Sequence, residues 1–154
     1  MPLRGEDYAP GTPIYSFVAR DGKNTHIDSE KLRLWCKENR ERLEVVNTPV
    51  SEKMANSFVD ENVVDIAHVV RVMMMRKLDP VIYCKDGGGT RDRPDVMLVD
   101  GHHRYVAAAV HNLRMIPAYV LEPEQWRDFE IIGLPDMTEE ELRAAPVCKK
   151  ERTA

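Results

Sequence analysis

Hydrophobic positions change their spacing several times along the chain, and each change predicts an element. Ile14-Tyr15-Ser16-Phe17-Val18 alternates weakly, as a half-buried strand does. Asp28 or Ser29 is a candidate cap for a helix reaching Leu43, with Leu32, Trp35, Cys36 and Leu43 on one face. Val45, Val46 and Val50 predict a strand over 44–50. Asp60 reads as the N-cap of a long helix in which Val63, Ile66, Ala67, Val70, Met73 and Met74 recur at helical spacing. That pattern predicts an apolar stripe laid against a sheet. After Pro80, the β-forming runs 81–84 and 96–99 flank a polar, glycine-rich stretch from Lys85 to Pro94, the pattern of a hairpin with Gly87 to Gly89 at its tip. A turn at Asp100 to Arg104 opens a helix to Asn112, with Val106, Ala107 and Val110 inward, and 118–121 is the last strand. Trp126 and Phe129 are placed on a short helix, and Thr138 with Glu141 makes a capping box for a final one. Pro2 to Pro13 reads as a loose arm and Asp21-Gly22 as a turn.

The order of these elements predicts an α/β fold: a single small domain with a mixed sheet and packed helices. The 154 residues and a hydrophobic fraction of 43% fit one such core. With 22 Lys and Arg against 26 Asp and Glu, the formal net charge is −4. That balance gives no global attraction to nucleic acid or to an anionic membrane, so neither is a favoured partner. Cys36, Cys84 and Cys148 have no short metal-type spacing and fit reduced thiols, hence a cytoplasmic location. The sequence shows no apolar run of membrane-spanning length.

The chemistry concentrates at Asp100-Gly101-His102-His103-Arg104-Tyr105, where a strand passes into a helix. The first N–H groups of a helix lack internal partners and carry partial positive charge. Gly101 allows close approach to the backbone, Arg104 can fork two hydrogen bonds to phosphate oxygens, and His102 and His103 are further candidate ligand contacts. Asp100 is a candidate Mg²⁺ ligand or proton acceptor. The plainer alternative makes Asp100 an N-cap and the histidines solvated first-turn residues. Lys85 to Thr90 lacks the Gly-Lys-Ser/Thr ending of a P-loop and does not precede a helix. Arg91 and Arg93 read as solvated charge, Met73 to Met75 as core filling, and Trp35 and Trp126 as packing anchors. His26 and His68 have no visible partners.

From about Val46 to Leu121 the chain resembles the ParB/sulfiredoxin superfamily. The resemblance rests on the predicted helix after Asp60, on Asp79-Pro80-Val81-Ile82, on the hairpin, and on Val99-Asp100-Gly101-His102-His103-Arg104-Tyr105-Val106-Ala107-Ala108. Partition-protein members carry Gly-x-Arg-Arg-x-x-Ala at this turn and use it on CTP. Sulfiredoxins carry Gly-Cys-His-Arg-Tyr and use it on ATP. Members resembling free-serine kinases carry Asp-Gly-His-His-Arg or a close variant, the best match here. The resemblance implies a ParB/sulfiredoxin-like core over 46–121, an N-terminal extension over 1–45 and a C-terminal helical extension and tail over 122–154. Residues 1–45 would then supply a lid, a homodimer contact or an extra layer.

The departures from the family separate its branches. His102 stands where sulfiredoxin chemistry needs a cysteine thiolate, and imidazole does not replace that nucleophile. The stretch after Leu121 is too short for a helix-turn-helix domain with a dimerisation segment. The kinase-like branch places a catalytic Glu near the position of Ser57-Phe58, where none stands here, leaving Glu52, Asp60 and Glu61 as candidate bases. The resemblance therefore implies a Mg²⁺-dependent phosphotransferase or nucleoside triphosphatase using ATP or ADP, with CTP as the other candidate nucleotide and a small-molecule acceptor. The alternative is a non-catalytic, nucleotide-switched regulator or a ParB-like binding module. Nuclease activity, assigned to some relatives, has no distinct metal cluster behind it in this sequence.

Overall fold

The computed structural model describes residues 3–9, 14–18, 22–61, 63–74, 79–85 and 96–134. The expected hairpin tip with Arg91 and Arg93, Met75, Cys148 and the Thr138–Glu141 capping box lie outside these residues. The chain order is β1 (Leu3–Arg4), β2 (Tyr15–Val18), β3 (Asn24–Ile27), α1 (Ser29–Glu38), β4 (Val46–Pro49), α2 (Glu52–Asp60) and α3 (Ile66–Met73). It continues with β5 (Val81–Lys85), β6 (Val96–Asp100), α4 (His102–Val110), β7 (Met115–Leu121), α5 (Pro123–Trp126) and β8 (Ile131–Ile132). The fold is mixed α/β, as the hydrophobic pattern predicts.

Its centre is a four-stranded sheet in the order β4-β7-β5-β6. β5 runs parallel to β7 and antiparallel to β6, and β4 runs antiparallel to β7. Alternate residues face opposite sides of a strand, and here both sides are covered. Val81, Tyr83, Val96, Leu98, Ile116 and Ala118 join the cluster that also holds residues of α2, α3 and α4. Ile82, Cys84, Val99, Tyr119 and Leu121 join the opposite cluster with Leu32 and Cys36 of α1, Phe17, Ile27 and Trp126. Double-sided burial explains why 81–84 reads as a continuous apolar run rather than an alternating one. Trp126 is an anchor as expected: its side chain is fully buried and its indole N–H donates to the Lys85 carbonyl at 2.9 Å.

The segment after β4 departs from expectation. Asp60 is the last residue of α2, not the cap of a long helix. Two helices stand where the pattern suggested one. Ser51 caps α2, accepting the Met54 N–H at 3.1 Å, and Asp65 caps α3, accepting from Ala67 at 3.1 Å. Each such cap stabilises a helix start by about 1 kcal/mol. The apolar phase also differs in part: Val63 and Met73 pack against the core as expected, but other members of the stripe do not. Val64, Val69 and Val72 are buried, whereas Ile66, Val70 and Met74 are 54%, 51% and 81% exposed. The reason is that 66–74 is apolar nearly all round, so periodicity alone fits more than one face. The short strand β3, paired with β2, carries no hydrophobic alternation in Asn24-Thr25-His26-Ile27 and is absent from the predicted elements.

Candidate functional site

Asp100 ends β6 and Gly101 turns the chain into α4 with φ +100°, a conformation that favours glycine. A Cβ at Gly101 would lie 2.5 Å from Val81 Cγ1 and 2.9 Å from the Arg104 guanidinium. The space beside this glycine is thus taken by protein, and its small size serves the close contact with β5. From this turn the side chains divide between the two sides of the sheet.

His103 goes to the α2–α3–α4 side, and His102 sits between Phe58 of α2 and Tyr15 of β2. Both are buried. The His102 ring lies 4.9 Å from the Phe58 ring, edge-on, and 5.2 Å from that of Tyr15. It donates to the Leu98 carbonyl, and its Nε2 has no hydrogen-bond partner. Burial, then the neighbouring His103 and Arg104, lower its pKa to about 3. His103 Nε2 accepts the backbone N–H of Asp65 at 3.0 Å, and its ring lies 4.3 Å from that of His68. Burial and then His68 lower its pKa to about 4. Both imidazoles are therefore neutral near pH 7. His103 acts as an acceptor that ties the start of α3 to α4. His68, without a visible partner in the sequence, has His103 beside it and Arg71 Nη2 at 3.3 Å from its Nδ1. His26 likewise has Ser16 Oγ at 2.7 Å from its Nδ1.

Arg104 goes the other way. Its Nη2 donates to Asp100 Oδ2 at 2.7 Å, and its Nη1 to the carbonyls of Asp79 at 3.0 Å and Pro80 at 3.3 Å. The guanidinium thereby ties α4 to the lead-in of β5, using the planar fork that lysine lacks. Asp100, with its side chain mostly buried, holds this arginine in place. A carboxylate already neutralised by a bound guanidinium is poorly suited to ligate Mg²⁺. Among the described residues no group of three or more His, Cys, Asp or Glu could hold a metal.

Beyond this pair a cleft of about 360 Å³ opens between α1 and the start of β5, lined by Arg33, Lys37, Arg40, Arg104, Asp79 and Tyr119 among others. Arg33 and Lys37 stand at i and i+4 on α1, and Arg40 follows just past its C-cap, Asn39. The lining thus holds four cations, Arg104 among them already paired to Asp100, and the Asp79 carboxylate. Tyr119 has its phenol raised by burial and by the nearby Cys36 and Asp79, against the opposing effect of Arg40. Cys36 lies in the wall, its thiol pushed up to about 12 by burial and by the Asp100 carboxylate. It is protonated at neutral pH and supplies no thiolate nucleophile.

The three candidate bases lie elsewhere. Glu52 and Asp60 border a separate groove of about 400 Å³ along α2, with Lys53, Asn56 and Ser57. Glu61 is the exposed C-cap of that helix. None of them lines the cationic cleft. At the position where the resemblance expects a catalytic Glu, Ser57 donates to the Met54 carbonyl at 2.7 Å, and Phe58 lies edge-on to His102 and Tyr105. The structure therefore joins Asp100 to Arg104 but brings neither to Glu52, Asp60 or Glu61. Sequence reasoning missed Arg33, Lys37, Arg40, Asp79 and Tyr119. The Arg33–Lys37 pair was readable, since it has the same spacing that identifies the helix. Asp79 and Tyr119 gave no signal, because only the β5–β7 pairing brings them to one place. No helix among the described residues is long and apolar enough to cross a membrane. Compared with protein-family models, with curated proteins and with solved structures, the chain returns no match.

Proposed function

We propose that this chain is a nucleotide-binding domain of the ParB/sulfiredoxin type, with the ligand's phosphates held in the cleft between α1 and Arg104. The observation that carries this reading is the charge of the cleft: Arg33, Lys37 and Arg40 against Asp79, with Arg104 at its edge already paired to Asp100. Guanidinium forks and a lysine point charge suit phosphate oxygens, and a partly enclosed site strengthens them over their worth in open water. The resemblance of the Asp-Gly-His-His-Arg turn, of which Arg104 alone lines the cleft, is what favours a nucleotide over a bare anion, with ATP or ADP first and CTP beside them. In a phosphotransferase or nucleoside triphosphatase, Asp79 is the carboxylate placed to accept a proton from an acceptor hydroxyl or water. The placement of Glu52, Asp60 and Glu61 outside the cleft favours a second reading, a regulator that binds nucleotide without turnover.

The test is calorimetric titration with ATP, ADP, CTP and pyrophosphate, each with Mg²⁺ in the buffer, alongside an assay for released phosphate. Arg33→Gln with Lys37→Gln is the informative variant, since both side chains lie on an exposed helix face. Binding that this variant loses while keeping its melting temperature supports the cleft. Phosphate release abolished by Asp79→Asn supports the enzyme, and binding without release supports the regulator. No binding of any of the four ligands overturns the proposal.

A further inference from the structure

A second depression, of about 300 Å³, adjoins the cationic cleft. Tyr119 lines both, and the chain that supplies Arg40 to the first supplies Arg42 and Leu43 to the second. The peptide between them is fixed, because the Arg42 and Leu43 N–H groups both donate to the Asn39 carbonyl, at 2.8 and 3.1 Å. The charge balance changes across Tyr119. In place of four cations and one carboxylate, the second cleft has Arg42 and Lys85 with Glu44 and Glu122, beside the apolar Leu43 and Val120. A polyanion gains little from such a lining. A neutral group with apolar faces and hydrogen-bonding edges suits it, as sugars and heterocycles do.

At this second cleft Lys85 Nζ and Glu122 Oε1 are 2.6 Å apart, their side chains 43% and 45% exposed. They present a donor and an acceptor side by side at the surface. The backbone beneath them is anchored: the Lys85 carbonyl accepts from the buried Trp126 indole, and the Glu122 N–H donates to Gln125 Oε1 at 2.9 Å. An exposed ion pair of this kind contributes little to folding. Fixed backbone and accessible charged tips are what a recognition pair requires.

We infer that the ligand of the cationic cleft extends past Tyr119 into this second cleft, and that the Lys85–Glu122 pair recognises its nucleoside part. The inference rests on the phosphate reading of the first cleft, and specifies what is attached to the phosphates. Pyrophosphate isolates the first cleft, whereas ATP and CTP engage both.

The experiment compares Kd for pyrophosphate, ATP and CTP by calorimetry on the full chain, on Lys85→Met and on Glu122→Gln. The expected result is at least one nucleotide binding about tenfold tighter than pyrophosphate. Both variants should erase most of that advantage, leaving the pyrophosphate Kd and the melting temperature unchanged. Pyrophosphate binding as tightly as both nucleotides overturns the second cleft alone and leaves the phosphate reading intact. A nucleotide advantage that survives both variants does the same. Failure of all three ligands overturns the phosphate reading and this inference together.

Discussion

The two sides of the Asp100–Arg104 turn present polar groups to opposite environments. On one side His102 and His103 are buried against aromatic rings and the start of α3, and both are held neutral. On the other, Arg104 is paired with Asp100 and borders a cleft rich in cations. Five consecutive residues with one apparent chemistry thus split into two jobs. The histidines join helices, and the arginine joins the sheet to the cleft. Residue type alone does not assign a motif to a ligand; the side of the sheet that each side chain reaches decides.

The sharpest way to break this comparison is pH. Both histidines have folded pKa values below the ordinary value of 6.5, so the unfolded chain binds more protons in the window between. Stability is fully present above about pH 6.5 and is lost as pH falls toward the folded values near 4 and 3. Two such groups cost about 4 kcal/mol between pH 6.5 and 4.5. His103 faces His68, Asp65, Arg71 and Arg104, of which Asp65 alone favours its proton. His102→Phe keeps a ring of similar shape among Tyr15 and Phe58 and removes one titrating group. Urea midpoints across this range should therefore fall about half as far in the variant. An equal fall in both proteins would refute the neutral, buried assignment of His102.

The arginine side gives the next largest effect. Arg104→Ala leaves the Asp100 carboxylate uncompensated and frees the Asp79 and Pro80 carbonyls. Removing one partner of a buried pair costs about 3 kcal/mol, the lower end of the usual range because the guanidinium is partly exposed. Urea denaturation at pH 7 measures it. A variant as stable as wild type would mean that Arg104 is free to serve a ligand alone. Because of this structural cost, Arg104→Ala mixes folding with binding, and the α1 cations are the cleaner probes of the cleft.

What the sequence disclosed follows from what each signal depends on. The runs at 81–84 and 96–99 were legible because strand propensity and burial agree there, and Trp126 was legible as an anchor for its size. The boundary between α2 and α3 was hidden because Asp60, Asp65 and Ser51 are all good caps, and choosing among them depends on His103 reaching the Asp65 N–H. The turn at Asp100–Arg104 stands out by its residue types, yet the fate of His102 depends on Phe58 and Tyr15, far off in the chain. The cations Arg33, Lys37 and Arg40 lie outside the resemblance, and the spacing that predicts the helix identifies its apolar face, not its basic one.

Those cations sharpen the comparison at the scale of binding. Lys37→Glu reverses one of the four cleft charges without touching the core, since the Lys37 side chain is exposed. Pyrophosphate affinity should fall roughly tenfold at low salt, and by less at high ionic strength as the charges are screened. The same reversal at Lys53, in the α2 groove, should leave pyrophosphate affinity unchanged. Equal losses at the two lysines would mean a diffuse electrostatic effect in place of a site.

The smallest expected effect tests the phase of α3. Ile66, Val70 and Met74 have the regular spacing of a core stripe, yet they face outward, while Val69 and Val72 hold the helix against its neighbours. Met74→Lys should change stability by less than about 0.5 kcal/mol, as surface substitutions do. Val72→Ala, two residues away, should cost about 2 kcal/mol through lost burial and the cavity it leaves. Two substitutions two residues apart at the end of α3 thus separate the phases, because a helix turned to bury Met74 would reverse their order. Thermal and urea unfolding of the pair decides which stripe α3 turns to the core, and with it whether His68 stands beside His103 and the Asp65 N–H meets its acceptor.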